Sequence, residues 1–198
     1  MKTFRNLLFA FATIFLFSEA SIAQTNTVDL NENSGTVEWE GKKVGGSHNG
    51  EIDIKDGQLT FNNKELTKAH IVIDMSSIVN HDLEDQESNQ KLVGHLKSDD
   101  FFGVKTYPEA TFKSTSIASK GSGKYMISGN MTIKGTTNPV EFPVEMKTSK
   151  KAFSVEGTFK IDRSKYDVRY GSRSFFDNLG DKAIYDDFEI SFKISGSY

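Results

Sequence analysis

The strongest constraint on this chain is the period of its apolar residues. From Val28 onward they alternate with polar ones in short runs: Ile52 and Ile54, Leu59 and Phe61, then Ala69, Ile71, Ile73 and Met75. The same period returns in Ala110 and Phe112, in Tyr125, Ile127, Met131 and Ile133, and in Val140, Phe142, Val144 and Met146. Phe153, Val155, Phe159 and Ile161 continue it, and Phe188, Ile190, Phe192 and Ile194 close it. A period of two puts every second side chain on one side of an extended strand, so each run predicts a half-buried strand and not a helix. With the Val37 to Trp39 stretch the count is about eight strands or slightly more. Turn residues separate them. The Asp56-Gly57 pair reads as a hairpin turn, Asn62-Asn63, the Gly121–Gly123 loop and Gly135 as further breaks, and Pro143 marks a bulge or an edge.

Two segments leave this pattern. Residues 82–96 (DLEDQESNQKLVGHL) read as a short helix with Asp82 as N-cap and acids in the first turn, weakened near its end by Gly94. Residues 163–183 are polar and rich in Gly and Ser but carry Tyr166, Tyr170, Phe175 and Phe176, which predicts a long functional loop folded over something apolar. An antiparallel meander of this size manages its edges as a sandwich or as a closed barrel. An eight-stranded barrel can hold one small ligand. Of the 16 Phe, 11 follow residue 23, mostly at positions that point inward. Those rings either pack a solid core or line a greasy cavity.

The chain has 198 residues and no cysteine, so the fold must stand without disulfides; thiol nucleophiles, thiolate metal sites and a Cys-linked lipid anchor are excluded. The formal charge of −3 offers no basic excess for nucleic acid. The N-terminus is different in character. Lys2 and Arg5 precede an uncharged run at 7–17 (LLFAFATIFLF) and a small-x-small site at Ser21-Ile22-Ala23. This is the pattern of a secretory signal peptide over residues 1–23, with a mature domain over 24–198. The apolar run is far short of the roughly 20 residues that span a bilayer. The expected location is the periplasm or the outside of the cell, as a soluble protein.

Several longer runs resemble one family. They are Val93-Gly94-His95-Leu96-Lys97-Ser98-Asp99-Asp100-Phe101-Phe102 with Tyr107-Pro108-Glu109-Ala110-Thr111-Phe112, Gly46-Ser47-His48-Asn49-Gly50, Ile73-Asp74-Met75-Ser76-Ser77-Ile78, and Gly129-Asn130-Met131-Thr132-Ile133-Lys134-Gly135. Ile161-Asp162-Arg163-Ser164-Lys165-Tyr166 and the stretch from Gly180 to Phe188 complete the set. Together they resemble the YceI-like family, extracytoplasmic lipocalin-like barrels that bind polyisoprenoid or other long amphiphilic lipids. The resemblance covers roughly Val28 to Ile194. It implies an all-β, antiparallel lipocalin-like barrel of about eight strands with one short helix and a long aromatic loop.

The charged residues favour a carrier over a catalyst. His48, His70, His81 and His95 are the only imidazoles, and none stands in a nucleophile-elbow or zinc-helix context. His48 and His95 read as hydrogen-bonded structural groups, Asp99 as the cap of the turn presenting Phe101 and Phe102, and Asp162-Arg163 as an internal ion pair. No catalytic set and no metal site is expected, and no cofactor is required. The expected partner is an amphiphilic lipid of isoprenoid, quinone or fatty-acid type; transient membrane contact and a homodimer are compatible with the sequence. Tail contacts are assigned to Ile73, Met75, Phe101, Phe102, Phe112, Met131, Phe142, Phe159, Phe176 and Phe188. An anionic head is assigned to His95, Arg163 and Arg169, the arginines for their forked donors. The alternatives are an enzyme acting on an isoprenoid or quinone in the same pocket, and a solid-core structural envelope protein.

Overall fold

The computed structural model describes residues 24–198, so the expected signal peptide lies outside the described residues. Nine antiparallel strands follow one another: β1 (Thr25–Leu30), β2 (Gly35–Lys43), β3 (Gly46–Asn62), β4 (Glu65–Asp74), β5 (Glu109–Gly121), β6 (Lys124–Ile133), β7 (Thr136–Thr148), β8 (Ala152–Asp162) and β9 (Ile184–Ser197). One helix, α1 (Gln86–Lys97), interrupts them between β4 and β5. Strands β2 to β9 are hydrogen-bonded in the ring order β3-β2-β9-β8-β7-β6-β5-β4, and β4 returns to β3. The result is a closed eight-stranded barrel, to which β1 is added along β3. Closure removes the exposed sheet edges that a sandwich would leave.

The expected hairpin at Asp56-Gly57 is not there. β3 runs unbroken through it for 17 residues, because its one edge serves two partners in turn: β2 up to Ile52, then β1 from Gly57 onward. The irregularity is instead a bulge at Lys55 against β4, with the register shifting between Ile54 and Asp56, and Asp56 and Gly57 pair with Val72 and Ile71. A side chain at Gly57 would strike the His70 carbonyl oxygen at 2.4 Å, so the close approach of β4 requires glycine. The real turn is one step later, at Asn63 and Lys64, both with positive φ as a two-residue hairpin demands.

The helix also differs at its start. It begins at Gln86, and its cap is Asp85, whose carboxylate accepts from Ser88 N at 2.8 Å. Asp82 is occupied elsewhere, as shown below. The ladder between β7 and β8 is short, from Glu145↔Glu156 to Thr148↔Phe153. Above it the ladder opens, and Pro143, paired with Met126 of β6 on one side, has no ladder partner on its β8 side, an edge as its sequence position implies. The 3₁₀ turn at Arg163–Tyr166 packs beside this opening, where Asn138 Nδ2 donates to Lys165 O at 2.8 Å.

The barrel has a plugged end and an open end. Phe61, Phe153 and Tyr198 fill the first, with ring centroids 4.7 to 5.6 Å apart. At the second, the 163–183 segment and the turn after α1 are tied together by Lys134, whose Nζ donates to Asp99 O at 2.9 Å and Asp167 O at 3.3 Å. The 163–183 segment is anchored by Tyr166, Val168, Ser172 and Ala183, all buried, while Tyr170, Phe175 and Phe176 remain exposed.

Candidate functional site

The barrel core is not filled. A cavity of about 250 Å³ lies between the aromatic plug and the open end, and its wall is almost wholly carbon. Leu59 and Leu66 sit toward the plug; Trp39, Ile71 and Ile190 border the middle, and Leu92 and Leu96 of α1 lean over the top. Along β9 the wall runs from Ile184 to Ile194. Ten steps of strand at about 3.3 Å, tilted as in small barrels, give an axial length of roughly 25 Å. A space that long and that small in volume is narrow. Its shape suits a linear chain.

Nine of the ten assigned tail residues line this space: Ile73, Met75, Phe101, Phe102, Phe112, Met131, Phe142, Phe159 and Phe188. Phe176 does not. It is 48% exposed on the outer face of the 163–183 segment, beside the Phe175 ring over which Arg169 lies at 5.0 Å. Two strand ends deliver wall residues by the same device. Asp74 accepts from the backbone N–H of Ser76 at 2.8 Å and from its hydroxyl at 2.6 Å, and Asp162 does the same for Ser164 at 3.0 and 2.6 Å. Each aspartate caps a 3₁₀ turn. Each cap drives the intervening side chain, Met75 or Arg163, into the cavity rim.

The three residues assigned to a head group fare differently. Arg163 reaches the cavity and is 3% exposed. Its donors are spent on the protein: Nε on Tyr185 O at 3.1 Å, Nη1 on Val168 O at 2.8 Å, and Nη2 on Ile184 O at 3.1 Å. Asp186 Oδ1 lies 3.4 Å from Nη2, so the ion pair is with Asp186; Asp162 is committed to its cap. Burial pulls the Arg163 pKa below its ordinary value, and Asp186 and Asp162 pull it back up. The guanidinium lies 5.7 Å from the centre of the Phe101 ring. His95 is wedged edge-on between Phe101 and Tyr170, at 5.1 and 4.4 Å, behind the wall. Arg169 is 59% exposed, pairs with Asp167 and does not border the cavity. The Asp99 carboxylate makes no capping bond; the turn after α1 closes instead on Ser98 O, which accepts from Phe101 N and Gly103 N.

The sequence reading missed a polar cluster at the rim. His48 Nδ1 is 2.8 Å from Asp82 Oδ2, and Asp82 Oδ1 accepts from Asn49 N at 2.9 Å and from Asn80 Nδ2. Burial raises the Asp82 pKa, but the Asn49, His48 and Asn80 donors outweigh it and hold the carboxyl at about 2. Asn80, itself buried, also bonds Asn49 O and receives Asn89 of α1, fixing the segment to β3. Lys42 and Lys43 border the rim beside His48. The available signal was parity: Val37, Trp39, Gly41 and Lys43 share one face of β2, which continues the alternation past its last apolar residue. Among the described residues, no cluster of His, Cys, Asp and Glu is arranged to hold a metal ion. No helix there is long and apolar enough to cross a membrane.

The same architecture recurs in known proteins. A YceI-like domain model matches residues 28–196. Protein YceI of Salmonella agona is 28% identical over 170 residues, covering 79% of this chain and 84% of that protein. The crystal structure of BcnA from Burkholderia cenocepacia superposes with a TM-score of 0.65 and 28% identity, over 82% of this chain and 96% of that one. A polyisoprenoid binding domain from Saccharophagus degradans, implicated in plant cell wall breakdown, superposes with a TM-score of 0.61, over 84% of this chain and 95% of that one. That domain is only 15% identical, so its likeness speaks for the fold. Barrel, motifs and matched span agree: this chain belongs to the YceI-like domain family.

Proposed function

We propose that the protein is a non-catalytic carrier or store that holds the tail of one long amphiphilic lipid in its barrel. The observation that carries this reading is the narrow, carbon-walled cavity with a single polar rim. Each methylene moved from water into such a wall gains about 0.8 kcal/mol. A lipid coming from a membrane gains far less, because its tail already lies in hydrocarbon, so exchange with membranes is reversible. The polyisoprenoid-binding neighbour shares the barrel, and a single isoprenoid, quinone or fatty-acid tail fits the shape. The hydrophobic N-terminal run and its small-residue site, read as a signal peptide, support work in the periplasm or outside the cell.

A cavity-filling variant tests this. The neutral probe N-phenyl-1-naphthylamine should brighten on entering the parent protein and be displaced by a C16 lipid at one site per chain. Met131→Trp projects a larger ring into the cavity and should remove that uptake while the barrel still unfolds cooperatively. Equal uptake by both proteins would place the probe elsewhere and reject the reading.

A further inference from the structure

The acid–base residues at the cavity wall are weighted to one sign. Lys42, Lys43, His48 and Arg163 border it, as does Tyr185, and among the described residues no aspartate or glutamate does. The chain as a whole is acidic, at −3, so this is a local choice of sign. Two of the cations are already engaged: Arg163 with three carbonyls and Asp186, and Lys42 with Glu40 at 3.0 Å. Lys43 has no ion-pair partner among the described residues.

His48 is set up to use its second nitrogen. Ionised Asp82 can only accept, so Nδ1 carries the hydrogen between them and Nε2 is left for another partner. Among the described residues nothing bonds Nε2. Opposite His48 on β2 stands Gly41, where an added side chain would meet nothing within 4 Å. Lys43, two places further along that face, is the diagonal neighbour of His48, roughly 7–8 Å away across the pair. The register of β2 against β9 shifts between Gly41 and Lys43, a bulge that turns the strand end at the rim. A glycine-sized gap flanked by an oriented imidazole and a free ammonium accommodates a small anionic group.

We infer that His48 and Lys43 form a head-group site for a single-tailed lipid with an acidic oxygen head, a carboxylate or a phosphate, with Asp82 as the positioning residue behind His48. This rests on the carrier reading above. The tail lies in the cavity; the head sits in the gap over Gly41, between Nε2 of His48 and the ammonium of Lys43, and Nε2 donates to the head when the ring carries a second hydrogen and accepts from a protonated head when it does not. Arg163 holds the 163–183 segment and leaves the head to the other side of the rim.

The test keeps the tail constant and changes the head. Hexadecanoate, hexadecyl phosphate and hexadecan-1-ol compete, below their aggregation concentrations and at fixed salt, against N-phenyl-1-naphthylamine on the full mature chain. In the parent protein at least one acid should outcompete the alcohol by about tenfold or more, as a charge-assisted contact provides. The better acid then identifies the head as carboxylate or phosphate. The acid-to-alcohol ratio should fall toward one in His48→Ala and in Lys43→Ala, and should also drop in Asp82→Asn, which removes the carboxylate that orients the imidazole. His48→Gln, which keeps a donor at that place, should recover part of the ratio. Lys43 is exposed, so its variant reports even if the His48 variant folds poorly. Equal competition by acids and alcohol in the parent overturns the head-group site but leaves the carrier reading standing. So does a ratio unaltered in the His48→Ala, Lys43→Ala double variant. If none of the three C16 compounds displaces the probe, the carrier reading falls, and this inference with it.

Discussion

Phe142 and Phe159 lie face to face, centroids 4.2 Å apart and planes 12° apart, although β7 and β8 are not hydrogen-bonded to each other at that level. The rings do there what the ladder does further down. Both also border the cavity. Phe142→Ala should therefore cost about 3 kcal/mol, the low end for such a truncation because the site already adjoins open space. Urea unfolding of parent and variant would measure it. Phe142→Asp should cost more and abolish lipid uptake, since an unpaired carboxylate cannot be solvated there.

Arg163→Met removes a buried charge, leaves the carbonyls of Val168, Ile184 and Tyr185 without their donor, and leaves the Asp186 carboxylate without its counter-charge. We expect a loss of about 3–5 kcal/mol, read from denaturant midpoints. Hydrogen exchange should rise first in the 163–183 segment, which this side chain closes onto β9.

Arg169→Ala and Phe176→Ala should do little. One side chain pairs with Asp167 in solvent and the other is half exposed, so each substitution should change stability by no more than about 0.5 kcal/mol. Probe displacement should give the same lipid affinity within about twofold for both. A larger loss with intact stability would bring the 163–183 segment into the site.

Asp82 gives a pH signature. Its carboxyl is held at about 2, below the unfolded value, so its contribution is complete above about pH 4 and is lost as pH falls through about 2. The shift corresponds to about 1–2 kcal/mol for this partly exposed group. The stability difference between parent and Asp82→Asn should accordingly shrink as pH falls from about 4 toward 2. Paired urea titrations across that range would show it.

The strands were legible because alternation is local physics: Tyr125 to Ile133 or Phe188 to Ile194 cannot hide an apolar face in any other form. The unbroken passage of β3 through Asp56-Gly57 was not, because a turn dipeptide can also follow a bulge, here at Lys55, and only the arrival of β1 beside β3 decides between them. The two capped turns, Asp74-Met75-Ser76 and Asp162-Arg163-Ser164, were visible as motifs, yet what the middle residue meets depends on the barrel closing. The pairing of His48 with Asp82 joins residues 34 apart in sequence, and no spacing rule announces it. Asp82 looked like a helix cap since an aspartate before a polar helical stretch normally is one; Asp85, three places on, took that role.

The central claim is that one single-tailed lipid occupies the barrel. Native mass spectrometry tests it most directly, on the purified protein stripped of lipid and then offered one equivalent of hexadecanoate. The account predicts a species heavier by one lipid in the parent and its absence in Met131→Trp. A parent that stays at the mass of the bare chain, or a Met131→Trp variant that takes up the same single lipid, would contradict it.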